Sequence, residues 1–122
     1  GVGINWVFPN LEEEADPESD IVVRGTRRRA LRFESGVRDE LLCPSLSGQL
    51  EMILTTFEPE QVPVNAYSHK GEEGGYVVEG TLELAVEDQI MILRPGDSFR
   101  FKSTMPHRYQ NVDETDAVLV WA

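Results

Sequence analysis

Cysteine is almost missing from this chain of 122 residues: Cys43 stands alone, so an intramolecular disulfide is excluded and a reducing, cytoplasmic setting is expected. Cys43 precedes Pro44 in an apolar stretch with no cation nearby to lower its pKa, which suits a buried structural thiol better than a nucleophile. Basic residues are scarce as well. Eleven Lys and Arg face 22 Asp and Glu, and the formal charge of −11 opposes attraction to phosphate backbones or anionic lipid. The one basic cluster, Arg24, Arg27, Arg28, Arg29 and Arg32, is expected on a solvated strand edge or paired with carboxylates rather than on nucleic acid. No apolar run approaches the ~18 residues of a membrane span, and no basic segment followed by an apolar one opens the chain. Gly1 in place of an initiator methionine suggests a trimmed chain or part of a longer protein.

Helical periodicity is also rare; only the segment around Arg38 to Leu42 is a weak helix candidate. What fills the chain instead is a series of short β-like runs: 21–24, 30–34, 49–58, 75–79, 81–87, 89–94, 98–102, 107–112 and 117–122. Leu82, Leu84 and Val86 alternate with Glu83, Ala85 and Glu87, and Phe99 and Phe101 alternate with Ser98, Arg100 and Lys102, the period of two that half-buried strands show. Asp88 and Gln89 fit a tight hairpin turn. Ten glycines and seven prolines punctuate these runs. Eight or nine strands at even spacing predict an all-β sandwich or barrel, and the length suits one domain. Residues 1–20 read as an arm and acidic linker, with Pro9 and Pro17 breaking the run PNLEEEADPESD, and 21–122 as the body. Trp6 and Phe8 in that arm are expected to pack on the barrel or on a second subunit.

Chemistry concentrates in Tyr67-Ser68-His69-Lys70-Gly71-Glu72-Glu73, where Tyr67 and His69 are two apart on one strand face and Glu73 follows a glycine turn. The second histidine, His107, follows Pro106 almost forty positions later. Spacing alone leaves two alternatives open: a shared site, or two unrelated surface histidines. Glycines 71, 74, 75, 80 and 96 read as turn residues, and Arg100 and Arg108 as solvent-facing partners of carboxylates. Phe57, Tyr76, Phe99, Phe101, Tyr109 and Trp121 read mostly as core, with one or two at a pocket mouth.

The stretch His69-Lys70-Gly71-Glu72-Glu73-Gly74-Gly75-Tyr76-Val77-Val78-Glu79-Gly80 resembles the first cupin motif, and Pro95-Gly96-Asp97-Ser98-Phe99 through Pro106-His107 to Asn111 resembles the second. The resemblance covers residues 65 to 112 and implies a double-stranded β-helix, or jelly-roll, barrel of two antiparallel sheets. It implies that His69, Glu73 and His107 point into the barrel as metal ligands for zinc, iron, nickel or manganese. Tyr67 stands where cupins usually carry another histidine, and a phenol with an ordinary pKa near ~10 is a poor ligand for most divalent ions. The same interior, with Tyr67, His69, Glu73, His107 and Tyr109 as ligand-binding residues, would otherwise orient an organic effector. A narrower resemblance is to the C-terminal cupin half of bacterial helix-turn-helix transcription regulators, carried by the arginine cluster, Leu41-Leu42-Cys43-Pro44, SHKGEEGGYVVEG and LRPGDSFRF. It implies a sensor of a small molecule or metal, homodimeric, acting on DNA only through a helix-turn-helix domain absent from these 122 residues. The alternative of a different class is a metal-dependent cupin enzyme, a dioxygenase or isomerase.

Overall fold

A computed structural model describes residues 20–45, 47–63, 65–66 and 71–122, together with the backbone of 4–7. The described residues form ten strands and no helix: β1 (Ile4–Val7), β2 (Ala30–Phe33), β3 (Val37–Leu41), β4 (Ile53–Phe57), β5 (Glu72–Glu79), β6 (Leu82–Val86), β7 (Gln89–Leu93), β8 (Ser98–Lys102), β9 (His107–Asn111) and β10 (Ala117–Trp121). Every pairing is antiparallel. A seven-stranded sheet, in the order β1-β2-β3-β4-β10-β5-β8, faces a three-stranded sheet, β7-β6-β9. This is the expected jelly-roll barrel.

The alternation read from the sequence becomes the inner faces of the two sheets. Leu82, Leu84 and Val86 on β6 and Ala117 and Leu119 on β10 are buried with Val77, Phe57 and Leu93 in one core cluster, and Phe99, Phe101 and Tyr109 pack against it. Burying a Leu or Val side chain contributes roughly 1.5–3 kcal/mol, so this cluster carries much of the stability. Outward positions between them, such as Glu83, Arg100 and Lys102, are exposed or half-buried.

Several local expectations change. The segment around Arg38 to Leu42 is strand β3, not a helix: Val37, Asp39 and Leu41 share one face, and tertiary pairing with β2 and β4 overrides a weak local periodicity. Residues 21–24 form no strand, and the run 49–58 is a strand only over Ile53–Phe57. The β6–β7 hairpin turns on Glu87 and Asp88, one position earlier than expected, because Val86 pairs with Gln89 and Glu87 takes a φ of 52°. Gly74 and Gly75 lie inside β5 rather than in a turn; a Cβ on Gly75 would stand 2.6 Å from the Phe99 ring that crosses it. Tyr76 faces outward and is half exposed. The side chains of Trp6 and Phe8 lie outside the described residues.

Buried side-chain polar groups tie the loops to the barrel. Asn111 donates through Nδ2 to the carbonyls of Phe57 and Thr115, both at 2.8 Å, and accepts from the Asp113 amide. Gln61 donates to the Tyr109 carbonyl and accepts from the Asn111 amide, so a side chain occupies the free edge of β9 where a strand would otherwise pair. Cys43 is buried, as its surroundings in the sequence suggested, and its thiol donates to the Ser45 carbonyl.

Gly80, at a φ of 77°, turns the chain from β5 in the large sheet to β6 in the small one, and a Cβ there would stand 2.6 Å from the Asp116 carbonyl oxygen and 2.7 Å from the Ala117 Cα. Backbone cannot move aside as a flexible side chain can. Gly80→Ala is therefore expected to cost at least ~2 kcal/mol, from the left-handed conformation and the clash together. Guanidinium unfolding of the two proteins reads this directly, and equal midpoints would refute the account.

Candidate functional site

Strand β9 begins at His107, straight after the turn closed by the Met105 amide donating to the Lys102 carbonyl. His107 exchanges both backbone hydrogen bonds with Ala66, each at 2.8 Å, which places the chain entering residues 67–70 against the start of β9. The same segment leaves through Gly71, whose carbonyl accepts from the Ser103 amide. Tyr67 and His69 themselves lie outside the described residues, but Ala66 and Gly71 on either side both line the interior cavity.

Within the described residues, three polar side chains meet inside the barrel. Glu73, in the part of β5 paired with β8, faces inward opposite Phe101. Tyr109, two residues beyond His107 on the same face of β9, donates its phenol proton to Glu73 Oε2. His107 Nε2 lies 3.5 Å from Glu73 Oε1, with side-chain exposures of 4% and 12%. The Nδ1 of His107 is 2.8 Å from the Met105 carbonyl, and since a carbonyl only accepts, Nδ1 carries the proton and Nε2 is the nitrogen turned toward Glu73. Phe101 covers the imidazole at a ring-centre distance of 4.8 Å. Burial first, then the Glu73 charge and the hydrogen bond to it, hold the Tyr109 phenol far above its ordinary pKa, so it stays a neutral donor.

These groups suit a metal ion in part. Two ligands ~2.1 Å from a tetrahedral ion stand about 3.4 Å apart, close to the separation of His107 Nε2 and Glu73 Oε1. The Met105 carbonyl supplies the outer hydrogen bond that a ligating imidazole needs. Among the described residues no group of three His, Cys, Asp or Glu side chains gathers for a metal, so a third protein donor would have to come from elsewhere, where His69 stands in the sequence. Glu73 Oε2 is already engaged by Tyr109.

The cavity around these groups has a volume of about 1120 Å³ and is walled largely by apolar side chains. A second polar group lines it that the sequence reading missed. Asp39, on β3, accepts a 2.6 Å hydrogen bond from the Thr55 hydroxyl, and Trp121 Nε1 donates to that same Thr55 oxygen at 2.7 Å. The signal was faint: Asp39 sits at an inward position of VRDEL, visible only once that segment is recognised as a strand. Elsewhere, Arg100 pairs with Glu72 at 3.1 Å on the exposed rim and Arg28 with Glu40 at 3.2 Å. Arg108 is half-buried with its Nε enclosed, not solvent-facing.

A family model described as the cupin domain matches residues 53–122. The chain belongs to the cupin family. Among curated proteins it is 34% identical over 62 residues to the HTH-type transcriptional regulator PuuR of Escherichia coli, an alignment covering 51% of this cupin chain and 34% of that regulator. The chain thus spans about a third of the length of that relative. Among solved structures it is similar to an HTH_3 family transcriptional regulator from Vibrio cholerae, with a TM-score of 0.61 and 26% identity, covering 70% of this chain and 49% of that one. It is also similar to an RmlC-like cupin from Shewanella frigidimarina, with a TM-score of 0.71, 21% identity and coverage of 83% and 86%.

Burial raises the pKa of Asp39 above its ordinary 3.8, and the Thr55 hydrogen bond only partly opposes this. An acid whose folded pKa is raised holds its proton longer folded than unfolded, so stability falls as pH rises from the unfolded pKa through the folded one. Asp39→Asn keeps an acceptor for Thr55 and removes the ionisation. The stability of the wild type relative to Asp39→Asn should therefore decline as pH rises from about 4 toward 7. Urea unfolding of both proteins across that range measures it, and a gap that stays constant or moves the other way would contradict the assignment.

Proposed function

We propose that this cupin domain is the effector-binding part of a bacterial transcription regulator. It holds a small molecule or a divalent metal ion in the barrel through Glu73, His107 and Tyr109, with Tyr67 and His69 as further ligand-binding residues. The observation that carries the reading is the convergence of Glu73, Tyr109 and His107 on one side of an apolar-walled cavity large enough for a small ligand. Likeness to PuuR and to the Vibrio cholerae regulator supports a regulator over a metal-dependent enzyme, the fold by itself being compatible with both. DNA contact belongs to a helix-turn-helix domain outside these residues, since a domain with a charge of −11 opposes binding to phosphates. Such a regulator works in the cytoplasm.

Thermal-shift screening of the purified chain against zinc, manganese, nickel and iron salts and a small-molecule library, followed by calorimetry, tests the site. A binder should lose at least ~10-fold in affinity, about 1.4 kcal/mol, on Glu73→Gln, and a smaller but clear amount on Tyr109→Phe. Binding that both variants leave intact would overturn the assignment, as would the absence of any binder.

A regulator that reads a two-fold operator needs a two-fold symmetric dimer, and the arm carrying β1 at the edge of the large sheet offers a surface for one. Light scattering at micromolar concentration is expected to give twice the 13.8 kDa of the chain. A monomeric mass at that concentration would remove the dimer from the proposal.

A further inference from the structure

Four polar groups in or against the cavity have already committed their protons within the chain. At the Asp39 end, the single proton of the Thr55 hydroxyl is spent on Asp39 Oδ1, and the single N–H of the Trp121 indole is spent on Thr55 Oγ1. Ionised Asp39 only accepts. At the other end the Tyr109 phenol proton is spent on Glu73, and the Nδ1 proton of His107 on the Met105 carbonyl. What these four groups leave for a ligand is oxygen or nitrogen that can accept. Among the described residues that line the cavity there is no lysine or arginine. Of its carboxylates, Glu72 is paired with Arg100 at the exposed rim and Glu73 accepts from the Tyr109 phenol, while Asp39 has a neutral hydroxyl as its hydrogen-bond partner and is held in a largely apolar wall.

A carboxylate withdrawn from water without a cation is costly, and burial raising its pKa is the same cost seen as a titration. A positively charged ligand group beside Asp39 relieves it, while an anion adds repulsion in a medium of low effective dielectric. The apolar and aromatic wall of Phe33, Phe57 and Trp121 then covers the hydrocarbon part of the occupant, and an aromatic face favours a cation near it.

From this inventory we propose that Asp39, positioned by Thr55 and Trp121, is a second anchor of the cavity, and that the ligand is a small organic cation whose ammonium group sits at Asp39 with its apolar part along the aromatic wall. The inference rests on the reading of the cavity as a ligand site and adds the chemical class of the ligand. Selectivity follows from charge: a carboxylate of the same size meets Asp39 and Glu73 and, among the described residues of the lining, no lysine or arginine.

Three isosteric probes that differ only in the head group, n-hexylamine, hexanol and hexanoate, test it by calorimetry at neutral pH. The amine is expected to bind at least ~10-fold more tightly than hexanoate, with hexanol between them. Asp39→Asn, which keeps the acceptor for Thr55 and supplies an amide donor, should weaken the amine by ~10-fold or more and leave hexanoate unchanged or improved. A purely structural role for Asp39 would lower all three alike. The proposal falls if hexanoate binds as well as hexylamine, if none of the three binds, or if Asp39→Asn leaves the amine unaffected. Glu73→Gln separates the two layers of the argument. Hexanoate binding that depends on Glu73 removes the cation and keeps the Glu73 site, whereas amine binding that depends on Asp39 and ignores Glu73 keeps the cation and removes Glu73 as its second contact.

Discussion

Among the described residues seven strands on one side of the barrel face three on the other, and the smaller sheet cannot cover the inner face of the larger. The rest of the architecture follows from that mismatch. Where β6 lies over β10 and β5, Leu82, Leu84, Leu119 and Val77 close on each other and exclude water. Beyond β9, the edge strand of the small sheet, the inner faces of β3 and β4 are left to line a cavity, which His107 and Tyr109 of β9 and Glu73 of β5 also face. A void of that size in an apolar core would be costly if sealed and dry, so a cavity open to water and lined in part by polar groups is the stable solution. The jelly-roll therefore produces a stable core and a binding space from one sheet pairing.

Polar side chains in that space need geometry that the strands alone do not give. His107 is oriented by the Met105 carbonyl, Glu73 by the Tyr109 phenol, and Tyr109 by its place between Phe57 and Phe99, with ring centres 5.8 and 6.0 Å away. Each functional atom is thus held by a neighbour that is itself packed, which is what pre-organises a site. Gln61 and Asn111 keep β9 in register at its far end by satisfying its edge from side chains. A shift of β9 by one residue would turn His107 and Tyr109 outward together.

Much of this was legible in the sequence because a period of two is a direct record of which side chains face inward. The strands from β6 to β10 lie close to the bounds expected from the sequence, while β5 starts three residues earlier, and Glu73 meets His107 and Tyr109 because β5 and β9 face each other across the two sheets. The first half was harder to read for a physical reason. In β3, VRDEL, the inward positions are Val37, Asp39 and Leu41, and a carboxylate in the middle of an inner face destroys the alternation that marks a strand. The polar residue that hid the strand is the one that lines the cavity. Gly75 misled in the same way: it reads as a turn, yet it stands mid-strand because Phe99 occupies the space of its side chain.

Exceptions to the pattern are then more informative than the pattern. A strand position that faces a core is apolar by default, and departures cost free energy unless something recovers it. Glu73 accepts from the Tyr109 phenol, and Asn111 and Gln61 are satisfied by backbone, so each has its hydrogen-bond partner within the chain. Asp39 is the different case. Its hydrogen bond from Thr55 serves one oxygen, and among the described residues that line the cavity no lysine or arginine stands to offset the burial of its charge. Thr55 and Trp121 could have linked β4 to β10 without any carboxylate on β3, so the hydrogen-bond chain alone does not require an acid at position 39. What an acid adds there is negative charge facing a largely apolar cavity, and a charge so placed acts on whatever enters it.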